Sequence, residues 1–281
     1  VIGYDTRTTN RMLEQAITAG LIEHGVDVVK IGMVPTPLVG YATLKLDADA
    51  GIMLTASHNP SQYNGIKLWN KNGMAYTPEQ EEKIEEIYYN QDFGKVEWDK
   101  IGIISHNDEI KKQYIDDLLD IVDIKPGLKV VIDCACGAGS ELSPIIFRKA
   151  GCEVITLNSQ VDGFFPGRNP EPNEANLSSL MKAVVATESD LGIAHDGDAD
   201  RMLAVDENGK LVDGDQIMSI IGNYMKDKGT LKDNTIVVTV MSNLGMSLMA
   251  KANGIHLEQT KVGDRYVLEE MLTDASLKKT Y

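Results

Sequence analysis

The sequence predicts an α/β protein of consecutive three-layer α/β/α domains with mixed sheets. Short β-branched runs alternate with amphipathic stretches of helical length along the chain. At 281 residues the chain also exceeds what one core holds, because single cores stop growing near ~250 residues.

The first unit opens on Val1-Ile2-Gly3, which reads as the middle of a buried strand with no turn before it, so the start is expected to be cut. A helix over 10–24 leads to a strand over 26–31, and a helix over 37–46 leads to a strand over 51–54. The rhythm then breaks at the polar stretch 91–108, a helix over 109–121, and Lys125-Pro126-Gly127. A second unit follows, with strands at 129–132, 153–157 and 191–194 and helices at 141–150 and 175–187. The turn Glu207-Asn208-Gly209-Lys210 carries a hairpin signal leading into a third unit, with helices at 216–226 and 245–252 and strands at 235–240 and 256–260. The expected domains are 1–106, 107–209 and 210–281. The last residues, 277–281, offer no cap or closing strand, so the chain reads as a fragment of a longer protein.

Composition excludes several classes. A net charge of −15 and a pI near 4.7 argue against a nucleic-acid surface, which needs clustered lysine and arginine. No stretch approaches the roughly 18 apolar residues of a membrane span. Three cysteines, Cys134, Cys136 and Cys152, with no signal peptide fit a reducing cytoplasm. Cys134 and Cys136 lack a second Cys/His pair for zinc and read as small residues closing a buried strand.

Two loops carry chemistry. Asp196-Gly197-Asp198-Ala199-Asp200-Arg201 follows the apolar run 191–194, and three carboxylates at alternate positions can converge on one hard cation such as Mg²⁺. An EF-hand is a rival, with Glu207 twelfth from Asp196, but Arg201 replaces the required glycine and a strand-like run follows. A solvated acidic turn is the other alternative. Thr55-Ala56-Ser57-His58-Asn59-Pro60 also follows a buried strand, which places Ser57 at the carboxyl edge of a sheet, where ligands bind in open α/β folds. Read alone, this hexapeptide is equally an ordinary polar turn.

These residues, TASHNP with Asn64-Gly65-Ile66-Lys67 and then DGDADR, resemble the α-D-phosphohexomutase superfamily, in order and spacing and over essentially the whole chain. Segments 212–218, 239–245 and 260–271 are most similar to its phosphoglucosamine mutase branch. The resemblance implies that phosphorylated Ser57 exchanges its phosphoryl group with a hexose or hexosamine phosphate through a bisphosphorylated sugar. It implies one Mg²⁺ per site on Asp196, Asp198, Asp200 and the Ser57 phosphate, with a hexose 1,6-bisphosphate as activator and phosphoryl donor. Lys67, Arg201 and His58 would act around the reacting oxygens, and Arg7 would border the serine. Gly263, Asp264 and Arg265 would meet the sugar or its phosphate, and Arg168 in the Pro/Gly loop 162–172 would approach the site. The bland alternatives are a paired surface arginine for Arg7, a hydrogen-bonded structural imidazole for His58, a glycine turn at 263–265 and a stiff surface connection for 162–172.

The resemblance also implies parts that this sequence does not contain: a segment before Val1, a Gly-Glu-x-Ser-Gly-His sugar loop and a fourth, phosphate-gripping domain. Cys136 stands where relatives often have asparagine. Without those clamps the chain is expected to turn over weakly or not at all alone. Ser57, the acidic loop and Gly263–Arg265 are expected to face one cleft. Rival readings are a phosphoglucomutase/phosphomannomutase, a non-catalytic Mg²⁺ and phosphosugar-binding fragment, and an aspartyl phosphatase. The oligomeric state is open, with a homodimer among the options.

Overall fold

The computed structural model describes residues 1–273. The chain divides into two compact units, Val1–Leu211 and Val212–Tyr281.

The first unit contains two five-stranded sheets. In the first sheet, β1 (Ile2–Tyr4), β2 (Val28–Met33), β3 (Ala50–Leu54), β4 (Ile66–Asn70) and β5 (Ile104–His106) run in the order β4-β3-β1-β2-β5. Every pairing is parallel except β3 with β4, where Ile52 faces Leu68. Helices α1 (Asn10–Glu23) and α2 (Thr36–Lys45) cross over between its parallel strands. The approach of α2 is close: a Cβ on Gly51 would lie 2.2 Å from Thr43 Oγ1. Only a residue without a side chain fits that contact.

Helices α3 (Pro78–Asn90) and α4 (Glu109–Ile121) lead into the second sheet. It holds β6 (Lys129–Asp133), β7 (Glu153–Leu157), β8 (Leu191–His195), β9 (Met202–Asp206) and β10 (Leu211–Val212) in the order β10-β9-β8-β6-β7. β6 pairs in parallel with β7 and β8, and β9 folds back antiparallel on β8. The two-residue period of β6 splits its apolar residues between two faces. Val131 packs with Leu180 and Val184 of α6 (Ser178–Ala186), while Val130 and Ile132 pack with Cys134, Cys152 and Phe147 of α5 (Gly139–Lys149). The cysteines are buried and unpaired, as the strand-closing reading expects. A third core joins the sheets, with Leu38 and Val39 of α2 against Ile110 and Ile115 of α4 and Leu142 of α5.

The second unit holds α7 (Gly214–Asp227), a parallel pair β11 (Thr235–Thr239) and β12 (His256–Thr260), α8 (Leu244–Ala252) and α9 (Asp264–Thr273). Asp213 opens α7 with a capping box, accepting from the Gln216 backbone N–H while Gln216 accepts from the Asp213 N–H.

The expected elements form, with corrections. The strand expected at 26–31 runs from Val28 to Met33, because the Val26 N–H bonds back to the Leu21 carbonyl and prolongs the turn after α1. The helix expected at 175–187 begins at Ser178, after a 3₁₀ turn over Glu174–Asn176. The polar stretch 91–108 contains β5, all three of whose residues are exposed. Three elements gave no expectation: β4, β5, and α3, which buries no residue. The unclosed end at 277–281 lies outside the described residues.

Candidate active site

Ser57 sits three residues beyond β3, with φ +50°, a left-handed backbone that costs a non-glycine residue energy and persists only where its surroundings impose it. The surroundings are a buried network. Thr55 Oγ1 accepts from the Ser57 N–H (2.7 Å) and donates to Asp5 Oδ2 (2.7 Å). Asp5 accepts from the Arg7 backbone N–H and Nε, and from Asn10 Nδ2. Arg7 then donates to four carbonyls of the serine loop: Ser57 (2.9 Å), Asn59 (2.7 Å), Pro60 (2.7 Å) and Tyr63 (2.8 Å). A guanidinium has five N–H donors, and all are used inside the protein. Arg7 thus borders the serine as expected, as a buried clamp on the loop with all its donors engaged, and is not a surface arginine.

The acidic loop leaves the sheet at the end of β8 and returns at once into β9, so no helix follows it and the EF-hand alternative falls. One carboxylate oxygen from each of Asp196, Asp198 and Asp200 lies within 4.8 Å of the others. Asp196 and Asp198 are fully buried. The Ser57 hydroxyl donates to Asp196 Oδ2 at 2.8 Å, which joins the two loops. Lys67 on β4 places Nζ 2.8 Å from Asp198 Oδ2 and 2.6 Å from Asp200 Oδ2. Thr36, at the start of α2, donates to Asp198 Oδ2 at 2.6 Å.

Charge sets the electrostatics. Burial, then the carboxylates of Asp198 and Asp200, push Asp196 up to about 8. Burial also opposes ionisation of Asp198, but Lys67 and the hydrogen bonds from Lys67 and Thr36 outweigh it and hold that carboxyl below its usual range. Burial works against the Lys67 ammonium, and Asp198 and Asp200 more than offset it, so Lys67 stays above the ordinary lysine range. The residues fit a hard divalent cation: all donors are oxygens, a cationic nitrogen already sits among them, and Asp198 Oδ1 is buried with no hydrogen-bond partner.

His58 flanks the serine, with Nδ1 3.5 Å from Ser57 Oγ and Nε2 3.5 Å from Glu171 Oε2. The same Glu171 oxygen lies 4.0 Å from Arg201 NH1, and the Arg201 side chain is half exposed. Arg168 does not line this site; it is buried against Asp133. Gly263, Asp264 and Arg265 belong to the second unit, where Gly263 takes φ +138° and α9 begins at Asp264. Arg265 donates to the Tyr266 hydroxyl and lies over its ring. Sequence reasoning missed Asp5, Thr36 and Glu171. Glu171 falls in the 162–172 loop already singled out, whereas nothing local in the sequence marks Thr36, whose partner is 162 residues away.

Sequence comparison identifies three consecutive domain families: phosphoglucomutase/phosphomannomutase alpha/beta/alpha domain I over residues 1–95, domain II over 112–209 and domain III over 213–277. The chain belongs to the phosphoglucomutase/phosphomannomutase family. A protein of Methanobrevibacter smithii described as a probable phosphoglucosamine mutase is 64% identical over 272 residues, or 97% of this chain and 59% of that protein. The chain therefore spans about three-fifths of the relative it matches. Among solved structures, a phosphoglucomutase/phosphomannomutase family protein of Burkholderia thailandensis superposes with a TM-score of 0.87 at 27% identity, over 97% of this chain and 60% of that one. An Aspergillus fumigatus N-acetylphosphoglucosamine mutase, solved with GlcNAc-6P and magnesium, shares the fold at 16% identity and a TM-score of 0.59, over 90% of this chain and 62% of that one.

The Arg7 geometry predicts that Arg7→Met lowers unfolding stability by roughly 3–5 kcal/mol in urea, because it strands a buried carboxylate. Lys95→Met, which removes one side of the exposed Lys95–Glu23 pair, should cost much less; equal losses would contradict the clamp. Asp196 gives a pH prediction. The folded carboxyl titrates at about 8 and the unfolded one near ~4, so the metal-free fold binds the extra proton between those values and loses stability as pH rises through them. In chelator, Asp196→Asn should be clearly more stable than the parent at pH 8. That gap should close towards pH 4, and parallel pH profiles would contradict it.

Proposed function

We propose that the full-length protein is a phosphoglucosamine mutase, interconverting glucosamine 6-phosphate and glucosamine 1-phosphate through phosphorylated Ser57. The observation that carries the reading is the Ser57 hydroxyl 2.8 Å from Asp196, within a cluster of three carboxylates. The sugar assignment is supported by the 64% identity to a protein of that description. A phosphoglucomutase/phosphomannomutase is the second reading, favoured by the name shared by all three matched domains.

In the forward direction the sugar O1 attacks the phosphorus on Ser57, the P–Oγ bond breaks and Oγ leaves towards Asp196. The hydroxyl proton of O1 passes to a nearby base. The resulting glucosamine 1,6-bisphosphate turns over, Ser57 Oγ attacks the other phosphorus, and the P–O6 bond breaks as the proton returns to O6. His58, with Nδ1 3.5 Å from Oγ, would take the Ser57 proton. Lys67 and Arg201 supply positive charge to the transferring oxygens. Asp196, Asp198, Asp200 and the Ser57 phosphate would hold one Mg²⁺, which when bound neutralises charge on the phosphoryl group. Lys67 pairs with Asp198 and Asp200, so a cation held by those carboxylates would leave its ammonium to the phosphate.

The proposed division of labour follows the three segments: 1–106 carries the serine, 107–209 the metal loop, and 210–281 the sugar-binding residues Gly263, Asp264 and Arg265. A hexose 1,6-bisphosphate would load Ser57. No described helix is long and apolar enough to cross a membrane, and a cytoplasmic sugar-phosphate enzyme fits the three reduced cysteines.

Mass spectrometry of the chain incubated with a hexose 1,6-bisphosphate and Mg²⁺ tests this reading. Phosphate should appear on Ser57, leave on addition of a hexose monophosphate, and be absent from Ser57→Ala. Phosphate on Asp196 instead would support an aspartyl phosphatase, and none on either, with Mg²⁺ bound, would support a silent binding fragment.

A further inference from the structure

The segment 162–172 lies against both chemical loops: a Cβ on Gly197 of the acidic loop would lie 3.4 Å from the Phe165 ring. A Cβ on Gly163 would lie 2.3 Å from the Thr6 carbonyl oxygen, so this segment lies directly on the backbone that carries Arg7. Phe165 lies beneath the Arg7 guanidinium, 5.2 Å from its ring centre. Further along, the Arg168 side chain turns inward and is only 5% exposed, against an Asp133 side chain that is 1% exposed.

Arg168 makes bonds in three directions. Nε donates to Asp133 Oδ2 (2.9 Å), NH1 to the Asn169 and Pro170 carbonyls (2.9 and 3.3 Å), and NH2 to the His195 carbonyl (2.5 Å). Asp133 ends β6 and His195 ends β8, and the two strands are parallel neighbours. One guanidinium therefore spans the carboxyl ends of two adjacent strands at the peptide from which Asp196 departs. The same loop is pegged twice more through its backbone: the Gly197 carbonyl accepts from the Ala138 N–H (2.9 Å) and the Asp198 carbonyl from the Thr36 N–H (2.9 Å). Of these three pegs, Arg168 alone is a side chain that mutation can remove.

We propose that Arg168 is a positioning residue for the acidic loop: it fixes the His195 carbonyl and thereby the spot at which Asp196, Asp198 and Asp200 converge on a divalent cation. The proposal rests on the mutase reading for the cation, but not for the clamp itself. Three carboxylates repel each other, and a loop that must present them together has to be held by its backbone. Partners that orient metal ligands typically contribute about 10–100-fold to metal affinity. Lysine cannot replace this arginine, since a single ammonium cannot reach Asp133, the His195 carbonyl and its own loop at once.

The test uses the 281-residue chain with Mn²⁺ as the probe, its binding read by electron paramagnetic resonance. Arg168→Met and Arg168→Lys should each weaken Mn²⁺ binding about tenfold or more, and in the metal-free chain should speed amide exchange at residues 196–201. The serine loop 57–63, held by Arg7, should exchange unchanged. If Arg168→Met does not fold, Arg168→Lys carries the test, because it keeps a cation beside Asp133. A lysine variant that binds Mn²⁺ within twofold of the parent, with loop exchange unaltered, would overturn the proposal. A parent chain that takes up no Mn²⁺ would overturn the mutase reading instead, and the exchange comparison would then decide the role of Arg168.

Discussion

Three carboxylates within 4.8 Å of one another at the end of a buried strand repel, and much of the surrounding structure answers that repulsion. Lys67 arrives from the one antiparallel strand of the first sheet and bridges Asp198 and Asp200. Thr36 arrives from the helix packed on the same sheet. Asp196 responds differently, by holding a proton well above the normal carboxylate range. The acidic loop belongs to the second sheet, and these answering groups belong to the first. The charge cluster and the junction between the sheets therefore depend on each other, and Ser57 stands at their meeting point.

The phosphoryl transfer proposed for this site would ask little of a protein besides position and charge, and position here is stored in backbone contacts. Ser57 is held in a left-handed conformation by Thr55 and Arg7, and the acidic loop is pegged through its carbonyls. Both clamps use an arginine that pairs with a buried aspartate and donates to backbone carbonyls, Arg7 with Asp5 and Arg168 with Asp133. A buried ion pair contributes little net stability over an apolar replacement, but removing one partner is costly. Such pairs resist mutation and keep loops in one geometry, which a reaction governed by positioning requires.

The sequence made the chemistry more legible than the framework. Ser57 and the Asp196 loop stand out because reactive and metal-binding groups cluster in short motifs at strand ends, Lys67 enters only through the family resemblance, and most strands and helices follow from their apolar periodicity. What stayed hidden has a physical reason in each case. Helix α3 buries nothing and so has no apolar stripe, and β5 is a three-residue exposed strand within a polar stretch. Thr36 meets Asp198 only through the fold, across 162 residues. Arg7 and Arg168 could be placed near the site from the sequence, yet whether an arginine faces substrate or backbone depends on which acceptors surround it. Here those acceptors are loop carbonyls drawn from distant segments.

Ser57 and the acidic loop are proposed to form one metal-dependent phosphoryl site. The most direct measurement is a crystal structure of the Ser57-phosphorylated chain soaked in Mn²⁺, with the metal located by its anomalous scattering. The account predicts one ion bound at once by carboxylate oxygens of Asp196, Asp198 and Asp200 and by an oxygen of the Ser57 phosphate, with Lys67 withdrawn from the carboxylates. An ion bound away from these residues, or a phosphoserine turned away from an occupied acidic loop, would contradict it.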